Sequence, residues 1–272
     1  MPELPEVENI RRTLRPHLLG RGIADVQIYL DRIIKWPSAK DFSAGIAGGV
    51  INDVSRRGKY LLVSLASQKL LVAHMRLTGA LIASGPGDAP PYARVRFSLS
   101  DGNCLWYTDV RTLGALYLLG AGENVIKGLR ELGPEPIDGQ LTAACFAQIM
   151  KKRSAAVKGV LLDQSAIAGV GNIYADEALA LAGVMPSRKA SDLSPEEAER
   201  LREALIGVIG QGIANRGTSF RDYKDGDGKK GDNQNYLLVY GRRGQPCLKC
   251  GAPLAYARVA GRGTTYCPRC QK

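Results

Sequence analysis

The sequence predicts an α+β protein in which an N-terminal β-sandwich is followed by a helical region. Between residues 23 and about 120, apolar residues alternate or run together in strand-length pieces, and Asp101-Gly102 between two such runs indicates a hairpin. Apolar residues return at helical spacing from about 142 to 216. Two packed sheets cover the apolar faces of the first region most simply, so we expect a mostly antiparallel two-sheet sandwich with flanking helices.

Two helices are predicted with defined ends. Between Glu6 and Leu19 the apolar residues recur at intervals of three and four, and Gly20 is expected to end that helix. The run SPEE at 194–197 places serine at a cap, proline at the first helical position and glutamate at the third. This second helix is expected to continue to the residue before Gly217.

The run LGPEP near residue 132 interrupts both patterns and marks a domain boundary. We predict a β-sandwich domain at 1–132, a linker at 133–140, a helical domain at 141–236 and a cysteine-containing module at 237–272. Within the helical domain, residues 217–235 are polar, rich in glycine and mixed in charge, which favours a mobile loop.

Charge and hydropathy restrict the class of partner. The chain carries 37 Lys and Arg against 26 Asp and Glu, a net charge of +11, which favours a polyanion such as nucleic acid. No uninterrupted apolar run approaches the roughly 20 residues that cross a membrane. The N-terminus lacks the basic-then-apolar layout of a signal peptide, so we expect a cytoplasmic protein with no membrane partner.

Four cysteines form two CxxC pairs separated by sixteen residues, and these are Cys247, Cys250, Cys267 and Cys270. In a chain without a secretion signal this spacing predicts one tetrahedral structural zinc ion with no open position for water. The intervening residues suit a two-stranded hairpin with its tip near 258–263. Arg258 and Arg262 at that tip either contact phosphate or are simply solvated.

The first residues, MPELPEVE, could carry chemistry. If Met1 is removed, Pro2 becomes a secondary amine, and α-amino groups titrate near ~8, so much of it is nucleophilic at neutral pH. Glu3 and Glu6 lie within one turn of this amine and could transfer protons. An amine nucleophile beside a carboxylic acid is what imine formation at a carbonyl or acetal carbon requires. The alternative is a rigid acidic lead-in to a helix.

Three other stretches have a structural and a functional interpretation. Asn172 in the run GVGNIYADE opens a helix whose N-terminal amides attract phosphate, or the glycines merely form a helix–turn–helix joint. The basic run 56–59 leads into a strand, and from the residues alone it is a charge cluster that protects a strand edge. His74 is one of two histidines and, taken alone, is more often structural than catalytic.

Several ordered motifs resemble the bacterial formamidopyrimidine-DNA glycosylase family: MPELPEVE, RRGKYL, LGPEP, GVGNIYADE, VYGRRGQPC and the terminal cysteines. The resemblance covers essentially the whole chain. It implies a helix–two-turns–helix element in the helical domain, a β-hairpin zinc finger at the end, and a monomer that binds damaged double-stranded DNA. It also implies excision of oxidised purines, followed by strand cleavage through β,δ-elimination.

The resemblance also implies roles for individual residues. Pro2 attacks the sugar C1′, Glu3 protonates during base loss and ring opening, and Lys59 and Arg262 assist the two eliminations. The residues expected to contact DNA are His74, Tyr92, Arg111, Arg153, Lys158 and Asn172. Residues 217–235 align with the loop that recognises the damaged base.

A wedge that enters the duplex is implied at Leu77, Arg111 and Leu113. The family usually has methionine, arginine and phenylalanine at these positions, so two of the three depart from the pattern. Leucine can still unstack a base step but lacks an aromatic face. Lesion search and opposite-base preference are therefore expected to differ more than the chemistry.

Two other functions remain open. The endonuclease VIII branch uses the same proline on oxidised pyrimidines; its usual start is MPEGPE, so Leu4 argues against it, while the altered wedge argues mildly for it. A non-enzymatic zinc-containing DNA-binding protein would need a defect in the amine or in the acid, and the sequence shows neither.

Overall fold

The computed structural model describes residues 1–272, which divide into two compact units. The first contains 1–130 and 215–234, and the second contains 131–214 and 235–272. The first boundary thus lies two residues before the predicted one. The segment predicted as a loop of the helical domain is grouped almost entirely with the N-terminal unit, where it makes hydrogen bonds to the first helix.

The first unit contains a four-stranded and a five-stranded sheet. The strands are β1 Ile23–Ile28, β2 Ile34–Trp36, β3 Ile51–Arg57, β4 Tyr60–Leu65, β5 Leu70–His74, β6 Gly79–Ser84, β7 Ala93–Leu99, β8 Cys104–Asp109 and β9 Ala115–Leu119. Their orders are β1-β7-β8-β6 and β2-β9-β5-β4-β3. All pairs are antiparallel except β2 with β9, which confirms the predicted two-sheet sandwich.

Local sequence patterns account for the buried faces of the strands and for the position of one turn. Burial alternates along β4 and β7, as expected when one face of a strand packs against the core. The β7–β8 turn closes where Asp101-Gly102 predicts it, with the Leu99 N–H donating to the Asn103 carbonyl at 2.8 Å. Gly102 has a φ of +85°, a conformation that favours glycine.

Three helices belong to the first unit: α1 Leu4–Leu18, α2 Ala39–Ile46 and α3 Lys127–Arg130. α1 buries its apolar stripe completely in the sandwich core, and α2 adds Phe42, whose ring centroid is 6.4 Å from that of Phe97. Burial of one such side chain contributes about 1.5–3 kcal/mol. α1 begins two residues before the predicted start, and Pro16 is accommodated because the helix ends at Leu18.

The second unit contains four helices and one hairpin: α4 Ala143–Lys151, α5 Val157–Leu162, α6 Asn172–Ala182, α7 Pro195–Ala214, β10 Ala255–Val259 and β11 Arg262–Tyr266. The predicted cap of α7 is present, since Ser194 Oγ accepts from the Glu197 N–H at 3.2 Å. Gly212 lets α7 pass close to α6, because a Cβ there would lie 2.4 Å from the Tyr174 hydroxyl. None of the helices has both the length and the apolar character needed to cross a membrane.

Candidate active site

The N-terminal residues are held in place. Pro2 and Glu3 are buried, and Glu3 is the N-cap of α1. A capping box is formed with Glu6, whose Oε2 accepts from the Glu3 N–H at 2.8 Å while the Glu3 side chain accepts from the Glu6 N–H. The segment proposed to hold the nucleophile is therefore fixed to the helix start by two reciprocal hydrogen bonds.

Glu6 also connects this helix start with the segment 217–235. Its Oε1 accepts from the Thr218 N–H at 2.8 Å, and its backbone carbonyl accepts from the Tyr223 hydroxyl at 3.3 Å. Gly217 adopts a φ of +83°, and a Cβ there would lie 3.0 Å from the Glu6 Cγ. One carboxylate thus contacts both the chain start and the predicted lesion-recognition segment.

The far part of the same segment is tied to α1 as well. The Gly226 N–H donates to Thr13 Oγ1 at 2.8 Å, and Asp227 pairs with His17 Nε2 at 2.8 Å. Asp225 is buried and its Oδ1 accepts two backbone N–H groups of the segment. Composition alone predicted a mobile loop; the structure instead shows a segment with partners along three turns of α1.

Glu8 is connected through Arg56 to the hairpin turn that carries Lys59. Lys59 is buried and follows Gly58 in the turn between β3 and β4. Arg56 Nη1 donates to the Gly58 carbonyl at 3.0 Å, and its Nε lies 3.3 Å from Glu8 Oε2. The chain of contacts runs from α1 to the backbone beside the predicted catalytic lysine.

Glu8 is the centre of a basic cluster. Arg11 and Arg12 each approach its Oε1 at 2.7 Å. Burial alone would raise the pKa of Glu8, but the hydrogen bonds from Arg11 and Arg12 outweigh it and lower the pKa to about 2. Glu8 is therefore ionised throughout the physiological range and holds three arginines in fixed positions.

His74 lies at the end of β5 and is buried. Burial, assisted by the positive charges of Arg76 and Lys59, lowers its pKa to about 3, so the imidazole is neutral at physiological pH. Its Nδ1 accepts from the Arg76 N–H at 3.1 Å, which leaves Nε2 as the donor nitrogen. A phosphate contact by His74 would thus be a neutral hydrogen bond.

The residues predicted to form the wedge are exposed at the tips of two loops. Leu77 is 38% and Leu113 52% accessible, and Arg111 is exposed beside Leu113. Tyr92 is 56% accessible, with the Arg94 guanidinium 6.0 Å from its ring centroid. Large apolar side chains that project from loops into solvent suit insertion into a partner.

Lys158 and Asn172 converge on one backbone carbonyl of the zinc hairpin. The Lys158 ammonium and the Asn172 amide donate to the Gly263 carbonyl at 3.0 and 3.1 Å. Lys158 is fully buried and paired with Asp176 at 2.6 Å, so a direct phosphate contact would require it to leave these partners. Both side chains, predicted as DNA contacts, support here the residue that follows Arg262.

Arg153 is partly exposed after α4. Its Nη2 lies 3.6 Å from Asp163 Oδ2.

Arg262 is exposed and is the first residue of β11. It lies opposite Val259 across a turn in which Ala260 and Gly261 have φ values of 49° and 72°. The predicted hairpin tip is therefore confirmed in place.

The motif GVGNIYADE contributes two acidic side chains that the sequence argument missed. Asp176 Oδ2 accepts from the Thr265 N–H at 3.2 Å. Glu177 accepts from three successive backbone N–H groups at 238–240, at 2.6–2.9 Å. Adjacent acidic residues buried on a helix next to glycines could have suggested this, because buried carboxylates need several donors.

The four sulfur atoms fit one zinc ion. All four Sγ atoms lie within 4.8 Å of one another, with Cys250 and Cys267 at 3.5 Å and Cys247 and Cys270 at 4.0 Å. Tetrahedral coordination at about 2.3 Å per Zn–S bond requires sulfur atoms about 3.8 Å apart. Each of the four cysteines supplies one thiolate, so the site is closed and structural.

The two-sheet sandwich, the capped N-terminus, the glycine at the start of α6 and the four-cysteine hairpin are together typical of a class of DNA glycosylases. Three family models match the chain: the formamidopyrimidine-DNA glycosylase N-terminal domain over 1–116, the H2TH domain of the same enzyme over 132–224, and a zinc finger found in FPG and IleRS over 244–272.

Individual relatives agree with these models. Formamidopyrimidine-DNA glycosylase from Moorella thermoacetica is 50% identical over 95% of both chains, and that from Geobacillus kaustophilus is 42% identical over 100% of both. Among solved structures, the Lactococcus lactis protein in complex with DNA containing an abasic site has a TM-score of 0.92, with 31% identity over 99% of both chains. The MutM protein of Thermus thermophilus has a TM-score of 0.90 and 39% identity over 99% of this chain and 98% of that one.

The chain belongs to the formamidopyrimidine-DNA glycosylase family. It is accordingly a DNA glycosylase and AP lyase of base excision repair, with one structural zinc ion held by its four clustered cysteines.

Proposed function

We propose that this enzyme excises oxidised purines, such as 8-oxoguanine and formamidopyrimidines, from duplex DNA through an imine formed at Pro2. The observation that carries the proposal is the buried and capped N-terminus, in which Glu3 and Glu6 hold the residue that follows Met1. A fixed terminus is what a nucleophile needs, since an amine on a frayed chain end would lose the advantage of orientation.

The reaction begins with the damaged nucleotide flipped out of the stack, because its C1′ is otherwise inaccessible. The Pro2 nitrogen, freed by removal of Met1, forms a bond to C1′ while the bond to the base breaks. The amine loses its proton in this step and the departing base gains one. Glu3 supplies the proton that opens the sugar ring at O4′. The product is an iminium that links the protein to the sugar.

Strand cleavage follows from the iminium. Loss of a proton from C2′ expels the 3′ phosphate, and a second elimination expels the 5′ phosphate. We assign Lys59 as the proton donor in the first step and Arg262 in the second, since a cation beside a leaving phosphate stabilises the developing charge. His74, Arg153 and Asn172 are proposed phosphate contacts.

Substrate choice is proposed to lie in the segment 217–235, which Glu6 connects to the chain start. A Lactococcus lactis relative at 32% identity was solved with DNA containing a Fapy-dG lesion. Another structure, at 31% identity, contains an oxidised pyrimidine, which keeps the pyrimidine branch as a second candidate. The enzyme is proposed to act as a cytoplasmic monomer on the nucleoid.

Borohydride reduction tests the mechanism, and a comparison of duplexes that contain 8-oxoguanine or thymine glycol tests the substrate. With duplexes that contain 8-oxoguanine, a covalent adduct of protein and DNA is expected, and intact mass should show a chain that begins at Pro2. No adduct with any lesion would refute the imine. Trapping with thymine glycol in preference to 8-oxoguanine would instead assign the pyrimidine branch.

A further inference from the structure

Two loops of the first unit carry the exposed wedge residues. Residues 75–78 connect β5 to β6 and carry Leu77, and residues 110–114 connect β8 to β9 and carry Arg111 and Leu113. We call these the wedge loops. They come from separate parts of the chain, so something must fix one against the other before their tips can act together.

A single carboxylate connects the two wedge loops. Asp109, the last residue of β8, is fully buried. Its Oδ1 accepts from the Thr78 hydroxyl at 2.5 Å in the first loop, and its Oδ2 accepts from the Gly114 N–H at 2.8 Å in the second. The Arg111 N–H is shared between Thr78 Oγ1 at 3.0 Å and Asp109 Oδ1 at 3.2 Å.

Tyr107, two residues earlier on β8, fills the space between the loops. Its hydroxyl is buried where a Cβ at Gly79 would lie 2.6 Å away and a Cβ at Gly114 closer still. Burial, with the negative charge of Asp109, raises the pKa of this hydroxyl, so it stays protonated. Gly79, which follows the first loop, and Gly114, which ends the second, therefore both pack directly against the Tyr107 side chain.

Both loops also contain a non-glycine residue in the left-handed region. Arg76 has a φ of 53° and Thr112 a φ of 54°. Such conformations are unfavourable for ordinary residues and persist only where surrounding contacts impose them. The Asp109 hydrogen bonds are contacts of that kind, since they hold the backbone at Arg111 and Gly114 on either side of Thr112.

We propose that Asp109 is a positioning residue for the wedge, and that through Thr78 it sets how well the enzyme unstacks the duplex and reads the opposite base. The inference rests on the proposed function. Insertion between base steps is costly, and loops that must first be ordered add to that cost. Asp109 is fully buried, so it acts through the two loops that it connects.

The first test is Asp109→Asn, which keeps the shape but replaces one accepting oxygen with an NH2 group that faces the N–H of Arg111 or that of Gly114. We expect excision of a lesion from duplex DNA to fall about tenfold or more, the size of one lost hydrogen bond to a charged group. Cleavage of an abasic site in single-stranded DNA should fall much less, because there is no base pair to open.

Two readouts separate positioning from general destabilisation. Fluorescence of 2-aminopurine placed beside the lesion should rise less on binding, and the preference in kcat/KM between cytosine and adenine opposite the lesion should shrink. Asp101→Asn, at the other end of the β7–β8 hairpin, is the matched control and should change neither. An unchanged preference and an unchanged fluorescence rise in Asp109→Asn would overturn the inference.

Thr78 provides a second pair of variants if Asp109→Asn does not fold. Thr78→Ser keeps the hydroxyl and should behave like the unmodified enzyme, whereas Thr78→Val should reproduce the loss of opposite-base preference. Equal preference in these two variants would also overturn the inference. An unmodified enzyme that forms no borohydride adduct would refute the proposed function instead, and the 2-aminopurine signal would still report on the wedge.

Discussion

The Lys158 ammonium lies 2.6 Å from Asp176 Oδ1, and both side chains are buried. Burial raises the pKa of Asp176 to about 6, although the pairing with Lys158 opposes that rise. Lys158 also donates to Thr264 Oγ1 at 2.7 Å in the zinc hairpin. The pair therefore joins α5, α6 and β11 two residues from Arg262, which makes it a support of the hairpin.

Lys158→Met is predicted to destabilise the protein and leave the salt dependence of DNA binding unchanged. Removal of one partner of a buried pair typically costs about 3–5 kcal/mol, because the other charge is left unpaired. A lysine in direct phosphate contact contributes about 0.9 to the slope of log K against log salt. Denaturant unfolding and a salt titration of DNA affinity measure the two quantities.

Exposed Lys152 offers the matched control, since Lys152→Met should leave the free energy of unfolding nearly unchanged. Should the salt slope of Lys158→Met fall by about one with no loss of stability, Lys158 contacts phosphate in the complex and the support role is refuted.

Pro2→Gly is predicted to lose most base excision while it still binds damaged duplex. Glycine replaces the secondary amine of proline with a primary amine, and its backbone is freer. Single-turnover excision and a binding isotherm on the same duplex separate the two effects. Undiminished excision would refute the assignment of the proline nitrogen as nucleophile.

Cys250→Ser is predicted to release zinc and weaken DNA binding by disordering the hairpin. A hydroxyl is a poor substitute for a thiolate in a closed site built from four cysteines, and such sites contribute directly to folding. Metal content by mass spectrometry and DNA affinity are the measurements. Cys145→Ser, outside the cluster, should retain the metal; full affinity in a zinc-free Cys250→Ser would contradict the scaffold role.

His74 is predicted to make the protein lose stability as pH falls below about 6.5. Its folded pKa is about 3, well below the 6.5 of the unfolded chain, so the unfolded state binds the extra proton first. The contribution is complete above 6.5 and is lost between 6.5 and 3, with a slope of up to about 1.4 kcal/mol per pH unit. Asp176, whose pKa is raised to about 6, contributes a slope of the opposite sign below that pH. The His74 slope is therefore measured as the difference in unfolding free energy between the unmodified protein and His74→Gln at several pH values.

Glu8 is predicted to contribute to the loss of stability at lower pH than His74 does. Because its pKa is about 2 in the folded protein against 4.5 otherwise, its contribution is present above 4.5 and is lost as pH falls towards 2. Glu8→Gln should therefore flatten the curve only below 4.5. A curve for His74→Gln identical to the unmodified one between 6.5 and 4.5 would show that another group titrates there.

Local signals in the sequence predicted most of the fold. The alternation in β4 and β7, the Asp101-Gly102 turn and the cap at Ser194 each act over a few residues, and the structure has them where they were predicted. The CxxC pairs likewise specify their ligand set through spacing alone.

Long-range partners could not be read from the sequence. The segment 217–235 has the composition of a mobile loop, but Thr218 meets Glu6 across 212 positions of chain. Lys158 has the side chain of a phosphate ligand, yet it is buried against Thr264, which is 106 residues further along the chain. Composition cannot predict either contact, because a polar side chain is buried only where the folded chain supplies hydrogen-bond partners for it.

Leu113→Phe is predicted to improve excision from duplex DNA without affecting cleavage of single-stranded abasic sites. Leu113 is 52% accessible at the tip of its loop, so the larger ring meets no packing conflict in the free enzyme. An aromatic face stacks on a base, worth about 1–3 kcal/mol, which leucine cannot match. Single-turnover rates on 8-oxoguanine duplexes should rise several-fold, while Leu248→Phe, on the zinc module, should leave them unchanged. If Leu113→Phe excises no faster than the unmodified enzyme, the apolar bulk of leucine already suffices for the wedge.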